Sequence, residues 1–171
     1  MENERKVCCF FGHRKIEETE QLRSKIYSIL EILITEDNVN TFIFGSRSEF
    51  DSLCREIVGH IKEKYPYIHR IYIRAEYRFI SKEYERYLLS SCDETYYSSR
   101  AVNGGRAVYV QRNYEMIDKS DICVVYYNEE YKPPRGKTSS KDIMEHQPAS
   151  GTQRAYDYAI KKGKTIINLY E

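Results

Sequence analysis

Residues 7–14 read Val7-Cys8-Cys9-Phe10-Phe11-Gly12-His13-Arg14: five apolar side chains in succession, then a glycine, a histidine and an arginine. A run that is apolar at every position, not at alternate ones, suits a strand buried on both faces. That is the condition of a parallel sheet covered by helices. Working outward, further short β-rich runs follow at Thr41-Phe44, His69-Ile73, more weakly Thr95-Tyr97, then Ile122-Tyr127 and Thr165-Leu169.

The segments between them carry helical spacing. Leu22, Ile26, Ile29, Leu30 and Leu33 recur at steps of three and four, as do Phe50, Leu53, Cys54, Ile57, Val58 and Ile61. Shorter helices are expected over Ser81-Leu89 and Gln111-Asp118, and a last one from about Ser150 to Lys162, with Gly163 as its stop signal. Strand and helix thus alternate along the chain. The expected architecture is α/β: a doubly wound, mostly parallel sheet of five to six strands, with right-handed crossovers and helices on both faces.

At 171 residues the chain has the size of one domain, and residues 1–171 are read as one. The segment 128–149, with Pro133, Pro134 and Gly136, is expected to be an irregular loop or insertion, and Ser98-Gly105 a turn. Basic and acidic residues nearly cancel, 27 against 26, which argues against duplex nucleic acid or an anionic membrane as partner. The charged start at Met1-Lys6 and the absence of a long apolar run lead to the expectation of a cytoplasmic protein with no membrane segment. Five cysteines without CxxC spacing read as buried reduced thiols. The 17 tyrosines read as surface bulk with no assigned function.

In an open parallel sheet, ligands bind beyond the carboxyl ends of the strands. Gly12-His13-Arg14 follows the first run and Gly45-Ser46-Arg47 the second, with Asp51 as the next helix begins. Arg74 follows the third, Arg100 and Arg106 the fourth, and Arg112-Asn113 is expected to open the helix before the fifth. Small residues let backbone N–H groups approach a phosphate, and guanidinium groups add permanently charged, bidentate donors. Ser150-Gly151-Thr152 opens the last helix, where orphan N–H groups and the helix dipole favour an anion. His13 is a further binding candidate. The four histidines show no metal-ligand spacing, and neither a GxSxG elbow nor a GxxxxGK[ST] loop is present.

Cys9-Phe10-Phe11-Gly12-His13-Arg14, Phe44-Gly45-Ser46-Arg47-Ser48-Glu49-Phe50-Asp51, Arg112-Asn113 through Ser120-Asp121, and Ser150-Gly151-Thr152 with Tyr158-Ala159 together resemble the SLOG superfamily. That group joins the DNA-processing Smf/DprA proteins to the Lonely Guy proteins, and the resemblance is nearest to its YpsA-like branch. It runs in order from Val7 to Leu169. The resemblance implies a Rossmann-like fold, a homodimer or higher homo-oligomer, and a pocket for a nucleotide or nucleotide-derived ligand. Gly12, Arg14, Gly45, Ser46, Asp51, Arg112, Asn113, Asp118, Ser150, Gly151 and Thr152 would line or support that pocket, with bracing of the helix–strand junction as the other role open to Asp118. Two departures stand out. Relatives with phosphoribohydrolase activity carry PGGxGTxxE, and here Ala155 takes the place of its glutamate; relatives also carry a glycine pair near Gly45-Ser46.

The leading expectation is therefore binding or sensing of a small phosphate-bearing, nucleotide-like ligand, ADP-ribose-like molecules included, with no other cofactor. An N-glycosidase using Asp51, Asp118 or Asp157 as its acid is the alternative. A single-stranded nucleic-acid accessory role, disfavoured by charge, is the third.

Overall fold

The computed structural model describes residues 4–101, 107–130 and 151–170. In chain order the elements are β1 (Val7–Gly12), α1 (Glu20–Thr35), β2 (Thr41–Phe44), α2 (Glu49–Lys64), β3 (His69–Arg74), α3 (Lys82–Ser91), β4 (Glu94–Tyr97), α4 (Ala107–Asp118), β5 (Ile122–Tyr126), α5 (Gly151–Lys161) and β6 (Thr165–Asn168). The six strands form one sheet in the order β4-β3-β2-β1-β5-β6, and every pairing is parallel. The chain winds outward from β1 through β4, then returns to the other side of β1 with β5. The expectation of a doubly wound sheet holds, and all six strands are present.

β1 explains why its sequence is apolar throughout. Cys8 and Phe10 point into a cluster with the buried faces of α1 and α2. Val7, Cys9 and Phe11 point into a second cluster with Met116 and Ile117 of α4 and Ala155 and Ala159 of α5. The ring of Phe10 stacks on Phe44 at 4.9 Å between centroids. The five cysteines are buried free thiols, with Cys9 and Cys123 meeting across the β1–β5 pairing at 3.6 Å.

Local signals fix the helix ends. Thr19, Ser48 and Ser81 cap α1, α2 and α3 by accepting from the backbone N–H three residues on. Gly163 takes a left-handed φ of 67° beyond α5. Lys164 N–H then bonds Ala159 O at 3.1 Å, the closing bond of a Schellman turn. α4 departs from expectation: it begins at Ala107, so Arg112-Asn113 lies inside the helix and does not open it. The extra turn is held by Val108, which packs on Ala75 and Ala101. Arg106, the Asn103-Gly104-Gly105 turn, residues 131–149 of the irregular segment and Ser150 lie outside the described residues.

The two edges of the sheet are closed differently. At the amino edge Asp121 ties β5 to β1, its carboxylate accepting from Val7 N–H at 2.9 Å. At the carboxyl edge the loops after β1 and β2 are joined: Glu49 N–H donates to Arg14 O at 2.9 Å, and Ile16 N–H to the Glu49 carboxylate at 2.8 Å. Above this junction Phe50 lies against Gly12, where an added Cβ would stand 2.5 Å from the ring. Gly12→Ala should therefore cost about 1–3 kcal/mol in urea denaturation. The penalty should shrink in a Phe50→Leu background, because the two positions share one space.

Candidate functional site

The strand order reverses beside β1, so the crevice between β1 and β5 is where such sheets open for ligands. His13 sits there, buried, and Nε2 of its ring accepts the Asn128 N–H at 2.7 Å. That bond requires the neutral ring, and burial pushes its pKa down to about 4. His13 thus locks the loops after β1 and β5 together. Arg14 is exposed, with no side-chain partner among the described residues. Gly151, exposed, and Thr152, buried, form the first turn of α5. Tyr127 joins that helix to the crevice, with its ring 4.6 Å from Tyr156 and 5.9 Å from His13.

The β2 side of the edge is built around Asp51. Ser46 Oγ accepts from Ser48 N–H at 2.9 Å, and Ser48 Oγ from Asp51 N–H at 3.0 Å, so two serines wind the chain into α2. This turns Asp51 inward. Its side chain is fully buried, and neither carboxylate oxygen has a hydrogen-bond partner among the described residues. Burial pushes the carboxyl up to about 7, against the opposing pull of Arg55, Arg112 and the Gly45 and Ser46 amides.

Arg112 reaches the same place from α4. It is 6% exposed, and its hydrogen bonds go to its neighbour, Asn113 Oδ1, at 3.3 Å. Among the described residues it has no carboxylate ion pair. Its stem is seated by Gly45: a Cβ there would stand 2.9 Å from Arg112 Cδ and 2.8 Å from the Ile73 carbonyl oxygen. The missing side chains of Gly12 and Gly45 thus serve close packing of Phe50 and Arg112.

Arg112 lines a narrow cleft of about 20 Å³ between β3, the start of α3 and α4, shared with Arg47, Tyr72, Arg74, Glu76 and Tyr109. Arg47 reaches Glu76 at 2.6 Å. Arg74 donates to the carbonyls of Tyr77 at 3.1 Å and Arg78 at 3.3 Å. Tyr109 donates to Glu76 and faces the Arg112 guanidinium at 5.6 Å. Burial pushes the Tyr72 hydroxyl up to about 12, with Asp51 adding to it. Reading the tyrosines as surface bulk misses this wall. The available signal is Tyr72, which interrupts β3 immediately before Ile73-Arg74.

Two expected residues are not at this edge. Asp118 ends α4 on the amino side of the sheet, where it accepts from Arg100 at 2.6 Å and from the Tyr158 hydroxyl at 2.8 Å. Arg100 is drawn along with it, facing the Tyr114 ring at 5.6 Å. The pair braces α4 against α5, whose rings Tyr114 and Tyr158 stack at 4.0 Å. Ala155 is 1% exposed in the core beneath α5.

Fold and edge together define a Rossmann-like, all-parallel α/β protein. Among solved structures, one similar chain is the molybdenum cofactor carrier protein MCP from Chlamydomonas reinhardtii, with a TM-score of 0.53 and 10% sequence identity. The match covers 95% of this chain and 75% of that one, and at this identity it speaks to fold alone. No protein-family model matches the chain, and no curated protein does. No described helix is long and apolar enough to cross a membrane.

Asp51 and His13 should leave opposite marks on stability. The Asp51 carboxyl is raised to about 7 in the fold, so its contribution is present at low pH and lost as pH rises from about 4 to about 7. Asp51→Asn should accordingly gain on the native protein by on the order of 2 kcal/mol between about pH 5 and about pH 8 in chemical denaturation. The His13 ring is lowered to about 4, so its contribution is present above about pH 6.5 and lost as pH falls towards 4. His13→Gln should flatten that acid limb.

Proposed function

We propose that this chain binds a nucleotide or nucleotide-derived ligand at the carboxyl edge of its sheet, ADP-ribose-like molecules included. The observation that carries this reading is Arg112: a guanidinium 6% exposed, without a carboxylate ion pair among the described residues, set in the wall of a cleft. A buried guanidinium without a direct ion pair is costly, with Asp51 and Glu76 offering only charge at a distance, and a phosphate entering the cleft supplies a direct partner. Tyr72, Tyr84 and Tyr109 line the same cleft. The resemblance to SLOG proteins points to the same ligand class. The likeness in fold to a protein named as a cofactor carrier is in keeping with small-molecule binding. In this reading Gly12, His13, Arg14, Gly151 and Thr152 form the crevice side of the site, and Gly45, Ser46, Arg47, Asp51, Arg112 and Asn113 the cleft side. Assembly as a homodimer or higher homo-oligomer belongs to the same proposal and is read by sedimentation.

Ala155 favours binding over cleavage. It stands where the resemblance places the glycosidase glutamate, and it is packed into the core. A second reading has one specific observation in its favour. Asp51 is a buried carboxyl held near neutrality beside the site, as a general acid requires. Hydrolysis would then release free base from a nucleoside monophosphate, and Asp51→Asn would abolish that release.

The test is calorimetric titration with AMP, nucleoside diphosphates and ADP-ribose. At least one should bind, and Arg112→Gln should weaken it by about 10- to 100-fold, the loss expected of a charge-assisted contact. A folded protein that gives no heat with any member of the panel would overturn the reading.

A further inference from the structure

Among the described residues, Glu76 is the one acidic side chain in the wall of the cleft, set among the guanidinium groups of Arg47, Arg74 and Arg112. Its two oxygens are taken from opposite sides. One accepts from Arg47 Nη2 at 2.6 Å, just ahead of α2, and the other from the Tyr109 hydroxyl on α4. The carboxylate therefore bridges two elements that flank the cleft and lies where an entering anion would meet the same donors. Arg47 is 65% exposed at its side chain, so it has room to turn from one anion to another.

We infer that Glu76 is an internal stand-in for the ligand's anionic group: it holds Arg47 and Tyr109 in place while the cleft is empty, and an incoming phosphate displaces it from Arg47. This rests on the binding reading above and adds its regulation. Three features support it together. The donors that Glu76 uses line the cleft, and positive groups there outnumber it. Arg112 beside it lacks an ion pair among the described residues. An exposed pair such as Arg47–Glu76 is weak, so exchanging it for a phosphate costs little. Glu76 would also set specificity. A carboxylate at the mouth repels an anion too small to engage Arg112 at the same time, and admits one that reaches both guanidinium groups.

The experiment is calorimetry with AMP, ADP-ribose and inorganic phosphate on the full chain and on its Glu76→Gln, Glu76→Ala and Arg112→Gln variants, each first shown to be folded by circular dichroism. Removing the competing charge should tighten AMP or ADP-ribose by about fivefold or more in both Glu76 variants. It should also bring inorganic phosphate, the smallest anion, closest to the others in affinity. Binding seen in the Glu76 variants but not in the native chain overturns the binding reading, and this inference with it. Native binding that is lost in Arg112→Gln, but unchanged or weakened in both Glu76 variants, overturns the stand-in and leaves the binding reading intact. No binding by any of the four proteins overturns both.

Discussion

The first turn of α2 is held down by Phe50, whose ring fills the space left by the missing side chain of Gly12 and lies 5.7 Å from Tyr126. That packing contact joins the ends of β1 and β5 to the start of the second helix. Everything at the cleft side of the carboxyl edge is positioned from it. With Phe50 facing the sheet and Ser48 capping the helix, the next residue, Asp51, has no route to solvent, and its carboxyl is carried inside. Gly45 does the same for the neighbouring strand, where close approach of Arg112 brings α4 onto the end of β2. Two glycines thus set the height at which two helices meet the sheet, and the charged groups follow.

The result is an edge where the rules of a stable core are broken. Asp51 is desolvated with unpaired oxygens, and Arg112 is desolvated with only a neighbouring amide for company. Each is partly relieved by the other's charge, yet neither finds the direct pair that buried ions ordinarily require. Away from this edge the charges are conventional: Asp93 is gripped by Arg70 and Lys62, and Asp121 by the backbone of β1. The departure centres on the cleft and extends along α4 to the buried Glu115, whose Oε2 also lacks a partner among the described residues. A fold that tolerates unpaired buried charge at such a place is usually holding something ready.

Most of the architecture was legible because parallel strands buried on both faces leave continuous apolar runs, and β1, β2 and β5 do so plainly. Helices α1, α2 and α5 carry a clear period, and α5 a stop signal as well. The site was only half legible. Gly12 and Gly45 stand out in the sequence as small residues after strands, and phosphate approach is the reason that pattern suggests. Their immediate role is to admit Phe50 and Arg112, and a sequence cannot show which atom fills the space above a glycine. Asp118 groups with Arg112 by closeness in sequence, but six residues of helix span about 9 Å and put it towards the other edge. The tyrosines escape notice because their abundance, 17 in all, hides the few that matter. Only the fold brings Tyr72 of β3, Tyr84 of α3 and Tyr109 of α4 to one wall.

The same geometry bears on whether the site binds or cuts. Cleavage of an N-glycosidic bond requires a carboxyl that can reach the bond. At the position the resemblance would assign to it, Ala155 is packed between α5 and the sheet, and a glutamate there would have to leave the core to act. Asp118 is committed to Arg100 and Tyr158, and Asp157 lies on the exposed side of α5. Asp51 has the raised pKa of an acid catalyst, but it is sealed beneath the Gly45-Ser46 turn with no exposed surface. A group so placed acts on a ligand through charge more readily than through proton transfer. Taking up a proton leaves Arg112 more positive in its surroundings and the cleft more attractive to a phosphate; releasing it does the reverse. Asp51 therefore fits a site that holds an anion and adjusts its grip near neutral pH better than one that breaks a bond.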